Sequence, residues 1–206
     1  MINRKFFFDR VRSNLFTGKL SAGQVDGLTF ILNVWETAHS KKDDRWLAYA
    51  LATAFHETAF TMQPIHEFGG KKYFFKMYDK GGARPNFAIN QLGNTEDGDG
   101  VLFHGRGYVQ LTGRRNYTAM GKAFNVNLTN NEDAANRVLN AELAAKIMFK
   151  GMEEGVFTGK DFGDYFNKTS EDWKNARRII NGLDCAEKIA VYGKEFYGAI
   201  SYTTGP

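Results

Sequence analysis

A mostly α-helical fold with little β structure is predicted by three features of the chain. Apolar residues recur at three- and four-residue spacing, a serine-glutamine pair has the form of a helix-capping box, and an Ala, Leu and aromatic run follows two aspartates. Phe7, Val11 and Leu15 mark the first helix. Val25, Leu28, Leu32 and Trp35 mark the second, which Ser21 with Gln24 three residues on would start. A central buried helix is expected over Arg45 to Phe60, with Asp43 and Asp44 at its amino end where carboxylates favour the helix dipole. At roughly 100° per residue, Trp46, Ala50, Ala54 and Glu57 fall within about 80° of one another, so Glu57 continues the core-facing side.

From Gln63 to Gly107 the periodicity breaks up. Gly69-Gly70, Gly81-Gly82, Pro85 and Gly98-Asp99-Gly100 predict long loops there, of the kind that wall a cleft. Helices are expected again over Ala141 to Lys150, Ser170 to Ile180 and Ala186 to Ile200. With no repeat and no low-complexity linker, 1–206 is predicted as one domain, a larger helical lobe plus a smaller loop-rich lobe around 61–107.

The 206 residues are 43% hydrophobic and 24% charged, which argues for a globular chain over a disordered one. Eighteen Phe and nine Tyr supply core packing, and some could face a carbohydrate. The single cysteine, Cys185, excludes an internal disulfide and is expected as a small buried side chain. A net charge of +4 and a pI near 9.0 suit an anionic polymer, yet form no basic recognition stripe, so no nucleic-acid partner is expected. Asp9, Arg10 and Arg12 interrupt the opening before a signal core could form, and no apolar run approaches the roughly 20 residues that span a bilayer. Synthesis in the cytoplasm, without a cleaved signal or stable membrane insertion, is the expectation; a monomer suits such a chain.

The chemistry-bearing candidates are carboxylates. Glycosidic hydrolysis needs one protonated carboxyl to meet the departing oxygen, and an ionised one to activate water. Glu57, on a core-facing helix, is expected to be desolvated, and Glu67, beside Gly69-Gly70, to be solvated and charged. Other readings are weaker. His56-Glu57 lacks the second histidine of a zinc-protease motif, because position 60 is Phe; His56, His66 and His104 could converge on a metal, but satisfied histidines are commoner, and no metal or cofactor is expected. Gly105-Arg106-Gly107 follows no dinucleotide-type strand and leads to no GK[ST].

The segment Gly98 to Tyr117 contains Gly105-Arg106-Gly107-Tyr108-Val109-Gln110-Leu111-Thr112, then Asn116-Tyr117. It resembles the signature of family 19 glycoside hydrolases, the chitinase and phage-endolysin group. Ala54-Phe55-His56-Glu57-Thr58 resembles that family's helix bearing the catalytic acid, and Ile179-Ile180-Asn181-Gly182 its later Ile-Asn-Gly motif. Phe7-Phe8-Asp9 through Trp35 is similar to the amino-terminal segment of phage members.

The resemblance implies a lysozyme-like, two-lobed helical fold with a substrate cleft, and an inverting hydrolase acting on β-1,4 bonds of an aminosugar polymer. Glu57 would be the general acid, Glu67 the general base, with Glu96 as fallback, and Thr112 would hold the attacking water. Gln110, Asn116, Tyr117 and Asn181 would line sugar subsites, with His56 and Arg106 supporting from behind. Inversion implies carboxyl groups about 6.5–9.5 Å apart. A phage endolysin cutting peptidoglycan, released through a holin-type pore, is the favoured reading over a chitinase. An inactive wall-binding or virion protein is the alternative from another class.

Overall fold

The computed structural model describes residues 1–203. In chain order its elements are α1 (Arg4–Asn14), α2 (Ala22–Ala38), α3 (Asp44–Glu57), β1 (Ile65–His66), α4 (Lys71–Tyr78), α5 (Pro85–Phe87), α6 (Asp99–Leu102), β2 (Arg106–Gly107), α7 (Arg114–Phe124), α8 (Glu132–Asn136), α9 (Ala141–Glu153) and α10 (Ala186–Tyr197). The fold is mostly α, as predicted, and among the described residues its one sheet is the two-stranded β1-β2 ladder. The chain divides into two compact units: Met1–Gln63 with the chain from Met148 on, and Pro64–Ile147.

In the first unit, local chemistry sets the helix starts. Asn3 accepts from the Phe6 amide to begin α1, and Ser21 and Gln24 form the predicted reciprocal box at α2. Asp43 begins α3 by accepting from the Arg45 amide. Every residue of α3 from Leu47 to Phe55 is buried, and alternate alanines keep the helix slender enough for neighbours on all sides. It packs along α10, where Phe55 meets Tyr192 and Phe196 with ring centroids 4.9 and 5.8 Å apart. Burying such a side chain contributes about 1.5–3 kcal/mol.

α3 stops at Glu57, three residues before the predicted end at Phe60. Ala59 and Phe60 take positive φ values of 49° and 69°, and the Phe60 amide donates back to Phe55. Backbone in the left-handed region cannot continue a right-handed helix. The predicted helix over Ser170 to Ile180 is also corrected: only a 3₁₀ stretch, Asn175–Ile179, forms, after a bridge between Phe166 and Glu171. Cys185 is exposed and free rather than buried, at the turn that starts α10.

In the second unit, the stretch read as long loops contains α4, with Phe74 as its buried anchor. The β1-β2 ladder pairs Ile65 with Gly107 and His66 with Arg106. Beneath it, Phe103, Leu111, Tyr117, Met120 and Val138 form a core with at most 1% exposure. Asp99, itself buried, is held by the Arg114 guanidinium through an Nε bond of 2.7 Å, which ties α6 to the start of α7.

Candidate active site

In the first unit, Glu57 is the last residue of α3, so its side chain leaves the core where the helix ends. The sequence predicts a desolvated carboxyl on a core-facing helix; the structure sets it against a buried guanidinium. Arg177 Nη1 donates to Glu57 Oε1 at 2.6 Å, with the two side chains 3% and 19% exposed. Arg177 also donates from Nη2 to Asp184 Oδ2 at 3.3 Å and from Nε to the Asp184 carbonyl at 3.2 Å. Burial alone would lower the proton affinity of Arg177, but the charge and hydrogen bond of Glu57, then those of Asp184, outweigh it and raise the pKa. The cation is thus shared between two carboxylates, one shielded and one open to water. His56 is pushed down by burial, opposed by the charge of Glu57. Asn181 is exposed, its Oδ1 accepting from the Gly182 amide at 2.9 Å.

In the second unit, Glu67 follows β1 directly and is pinned rather than loose. Its amide donates to the Gly105 carbonyl at 2.8 Å, Tyr78 Oη donates to its Oε1 at 2.7 Å, and the Gly105 amide donates to its Oε2 at 3.3 Å. Burial, then the hydrogen bond and charge of Glu67, push the Tyr78 phenol up, which keeps it a donor. A Cβ on Gly105 would lie 2.8 Å from Gln110 Oε1 and 3.0 Å from Glu67 Oε2, so only glycine leaves both oxygens where they are. Gln110, at a φ of 58°, donates from Nε2 to the Gly107 carbonyl at 3.2 Å, and among the described residues its Oε1 has no partner. Thr112 Oγ1 donates to the Gln110 carbonyl at 2.9 Å, and Asn116 Nδ2 to the Thr112 carbonyl at 2.9 Å. The structure therefore brings Glu67, Gln110, Thr112 and Asn116 into one hydrogen-bonded neighbourhood around Gly105 to Thr112. Glu96 is exposed, and its amide is capped by Asp99; among the described residues no such set of partners holds its carboxylate.

One assignment changes. Tyr117 is fully buried: its ring packs on Phe103 at 5.2 Å, and its hydroxyl bonds Arg106 and the His104 carbonyl. Burial pushes the phenol up to about 12. A side chain without exposed surface does not line a sugar subsite. Arg106 is equally buried, and its partners are neutral: Asn136 Oδ1, Tyr117 Oη and the carbonyls of Leu102 and His104. Its role is to knit β2 to α6 and α8.

Beside Arg106, His66 and His104 meet at 3.0 Å through Nδ1 and Nε2. His104 Nδ1 lies 2.7 Å from the Val101 carbonyl, which can only accept, so this nitrogen carries the proton and Nε2 accepts from His66. Burial first, and then the Arg106 and His66 charges, bring His104 down to about 4, against the opposing Val101 bond. Among the described residues, no third ligand-type side chain joins them to make a metal site.

Arg177 and Tyr78 were missed in the sequence. Arg177 sits four residues before Asn181, in a segment read only as helix; a basic residue beside the Ile-Asn-Gly motif was its one signal. Tyr78 gives none, because its stretch lacks a clear helical period.

No family model matches the chain, and no curated protein sequence does. Solved structures do. Chitinase C from Streptomyces griseus HUT6037 is 20% identical over 98% of this chain and 77% of that one, with a TM-score of 0.62. A mutant of chitinase C matches at 19% identity over the same shares, with a TM-score of 0.57. A bacterial family 19 chitinase is 20% identical over 98% of this chain and 96% of that one, with a TM-score of 0.60. From its first helix to α10, the chain has the fold of the family 19 chitinases.

Proposed function

We propose that this protein is a glycoside hydrolase that cuts β-1,4 bonds in the glycan strands of bacterial peptidoglycan with inversion. Glu57 protonates the departing oxygen, Glu67 takes a proton from the attacking water, and the Thr112 hydroxyl helps hold that water. Gln110, Asn116 and Asn181 hydrogen-bond the N-acetylated sugars. No metal or organic cofactor takes part. The observation that carries this reading is that the two carboxylates singled out by the family resemblance each have dedicated partners. Glu57 is gripped by a buried arginine, and Glu67 by a phenol and a backbone amide. Catalytic carboxylates need fixed positions, and these contacts fix both.

The phage-like amino-terminal segment and the +4 charge favour peptidoglycan and a role in host lysis, with a monomer reaching the wall after release through a holin-type pore. Chitin is the second reading, because the similar solved structures are chitinases. Turnover of purified peptidoglycan against N-acetylglucosamine oligomers separates the two. Proton NMR of the first products tests the mechanism: cleavage of a β bond with inversion yields the α anomer first, and an initial β anomer would exclude it. Glu57→Gln is expected to lower kcat by at least a thousandfold with the circular dichroism spectrum unchanged. Retained turnover in that variant removes Glu57 as the acid.

A further inference from the structure

Next to Glu67 the second unit exposes a group of side chains that the assignments above leave unused. Phe68 follows Glu67 and is 79% exposed, the most open aromatic in the described residues. It is held in place on both sides. Glu67 is fixed to Gly105 through the backbone, and a Cβ on Gly69 would meet the Tyr73 ring at 2.6 Å, so the chain is pressed against α4 immediately after Phe68. Tyr73 is itself 42% exposed. A ring this open beside Glu67, with Tyr73 also exposed, offers an apolar face that a ligand can cover.

Between these residues in sequence are Lys71 and Lys72, both exposed. Among the described residues neither has a carboxylate within ion-pair distance. They occupy the first turn of α4, which has no acidic residue and no side-chain cap. Cations there oppose the helix dipole, so this choice of residues costs local stability and calls for a compensating interaction.

We propose that Phe68 and Tyr73 stack against aminosugar rings of the substrate strand, and that Lys71 and Lys72 pair with carboxylates of peptide-bearing glycan. Together they would favour an anionic glycan over a neutral one. This rests on the hydrolase reading for the identity of the polymer and deepens it by naming residues that choose between peptidoglycan and chitin. Sugars offer C–H faces to aromatic rings, whereas stem-peptide carboxylates offer partners to ammonium groups; chitin has the first and lacks the second. Pairs this exposed are screened by salt, so their signature is a salt-sensitive share of the affinity.

The test uses binding, so that it does not depend on turnover. In the Glu57→Gln background, affinities for purified peptidoglycan sacculi and for chitin are measured at low and high salt, with and without Lys71→Ala/Lys72→Ala and, separately, Phe68→Ala. The double lysine variant is expected to bind sacculi about five- to tenfold more weakly at low salt, to lose most of the salt dependence, and to bind chitin within twofold of its parent. Phe68→Ala is expected to weaken both at least threefold. All three side chains are exposed, and thermal midpoints no lower than the parent's will confirm intact folding. Unaltered sacculus binding in the lysine variant, or equal losses on both polymers, overturns the selectivity; unaltered binding in Phe68→Ala overturns the stacking. Full activity of Glu57→Gln on its own would instead refute the acid assignment and leave the binding results standing.

Discussion

Acidification should destabilise this protein through His104, and the effect can be worked from its surroundings. The ring is 6% exposed, stacks on Phe74 with centroids 4.1 Å apart, and has both nitrogens committed to a neutral tautomer. A protonated ring would present an N–H to His66 where an acceptor is needed now, close to the Arg106 guanidinium. Its pKa falls from an ordinary 6.5 to about 4. The unfolded chain therefore takes up a proton that the native one refuses, and unfolding becomes easier as pH falls from about 6.5 towards 4. At about 1.4 kcal/mol per pH unit, full burial would give a loss of about 2 kcal/mol between pH 7 and pH 5; solvent screening near the surface brings this to about 1 kcal/mol. His56 and His66 are depressed as well and add in the same direction. Urea unfolding followed by circular dichroism at pH 7 and pH 5 measures the loss, and His104→Gln isolates the share of this ring. The variant should be less stable at pH 7 yet lose about 1 kcal/mol less than the native chain on going to pH 5. An identical loss in both proteins would refute the tautomer argument.

Further consequences follow from the same geometry. Arg177→Met removes a buried cation that two carboxylates share; breaking a buried pair costs about 3–5 kcal/mol, but water reaches both carboxylates here, so about 1–3 kcal/mol is expected. That corresponds to a thermal midpoint lowered by about 2–4 °C per kcal/mol, with kcat down at least tenfold as Glu57 loses its anchor; unchanged kcat would show that the anchor is dispensable. Gly105→Ala would press a methyl group against the Glu67 and Gln110 oxygens. It should lower kcat at least tenfold while shifting the midpoint by only a few degrees, and a variant with native kinetics would disprove the crowding. Gly27→Ala improves helix propensity by about 0.5–1 kcal/mol, but its Cβ would fall 1.7 Å from the Met62 carbonyl oxygen. Net destabilisation of about 2 kcal/mol or more is expected from urea unfolding, and any stabilisation would contradict the packing of α2 on the turn after Glu57.

Much of the helical framework can be read from the chain because its determinants are local. The Ser21-Gln24 box, the Asp43 cap and the buried run from Leu47 to Phe55 depend on residues three or four apart, and each appears where the sequence puts it. The motif order around Glu57, Gly105 to Thr112 and Asn181 is likewise a property of the chain alone. Failures occur where a local pattern meets a tertiary demand. α3 ends early because left-handed backbone at Ala59 and Phe60 interrupts an otherwise helical pattern, and Ser170 to Ile180 has helical spacing yet forms one bridge and a short 3₁₀ stretch.

The environments of the candidate groups were decided by tertiary structure. Arg177 reaches Glu57 across 120 residues of chain, and Arg106 and Tyr117 bury each other although the resemblance implied a sugar subsite for Tyr117. Periodicity tells which side of a helix faces inward, but not what waits there. Packing between distant segments determines whether a carboxylate meets hydrocarbon or a guanidinium, and whether an aromatic such as Phe68 is left open to solvent.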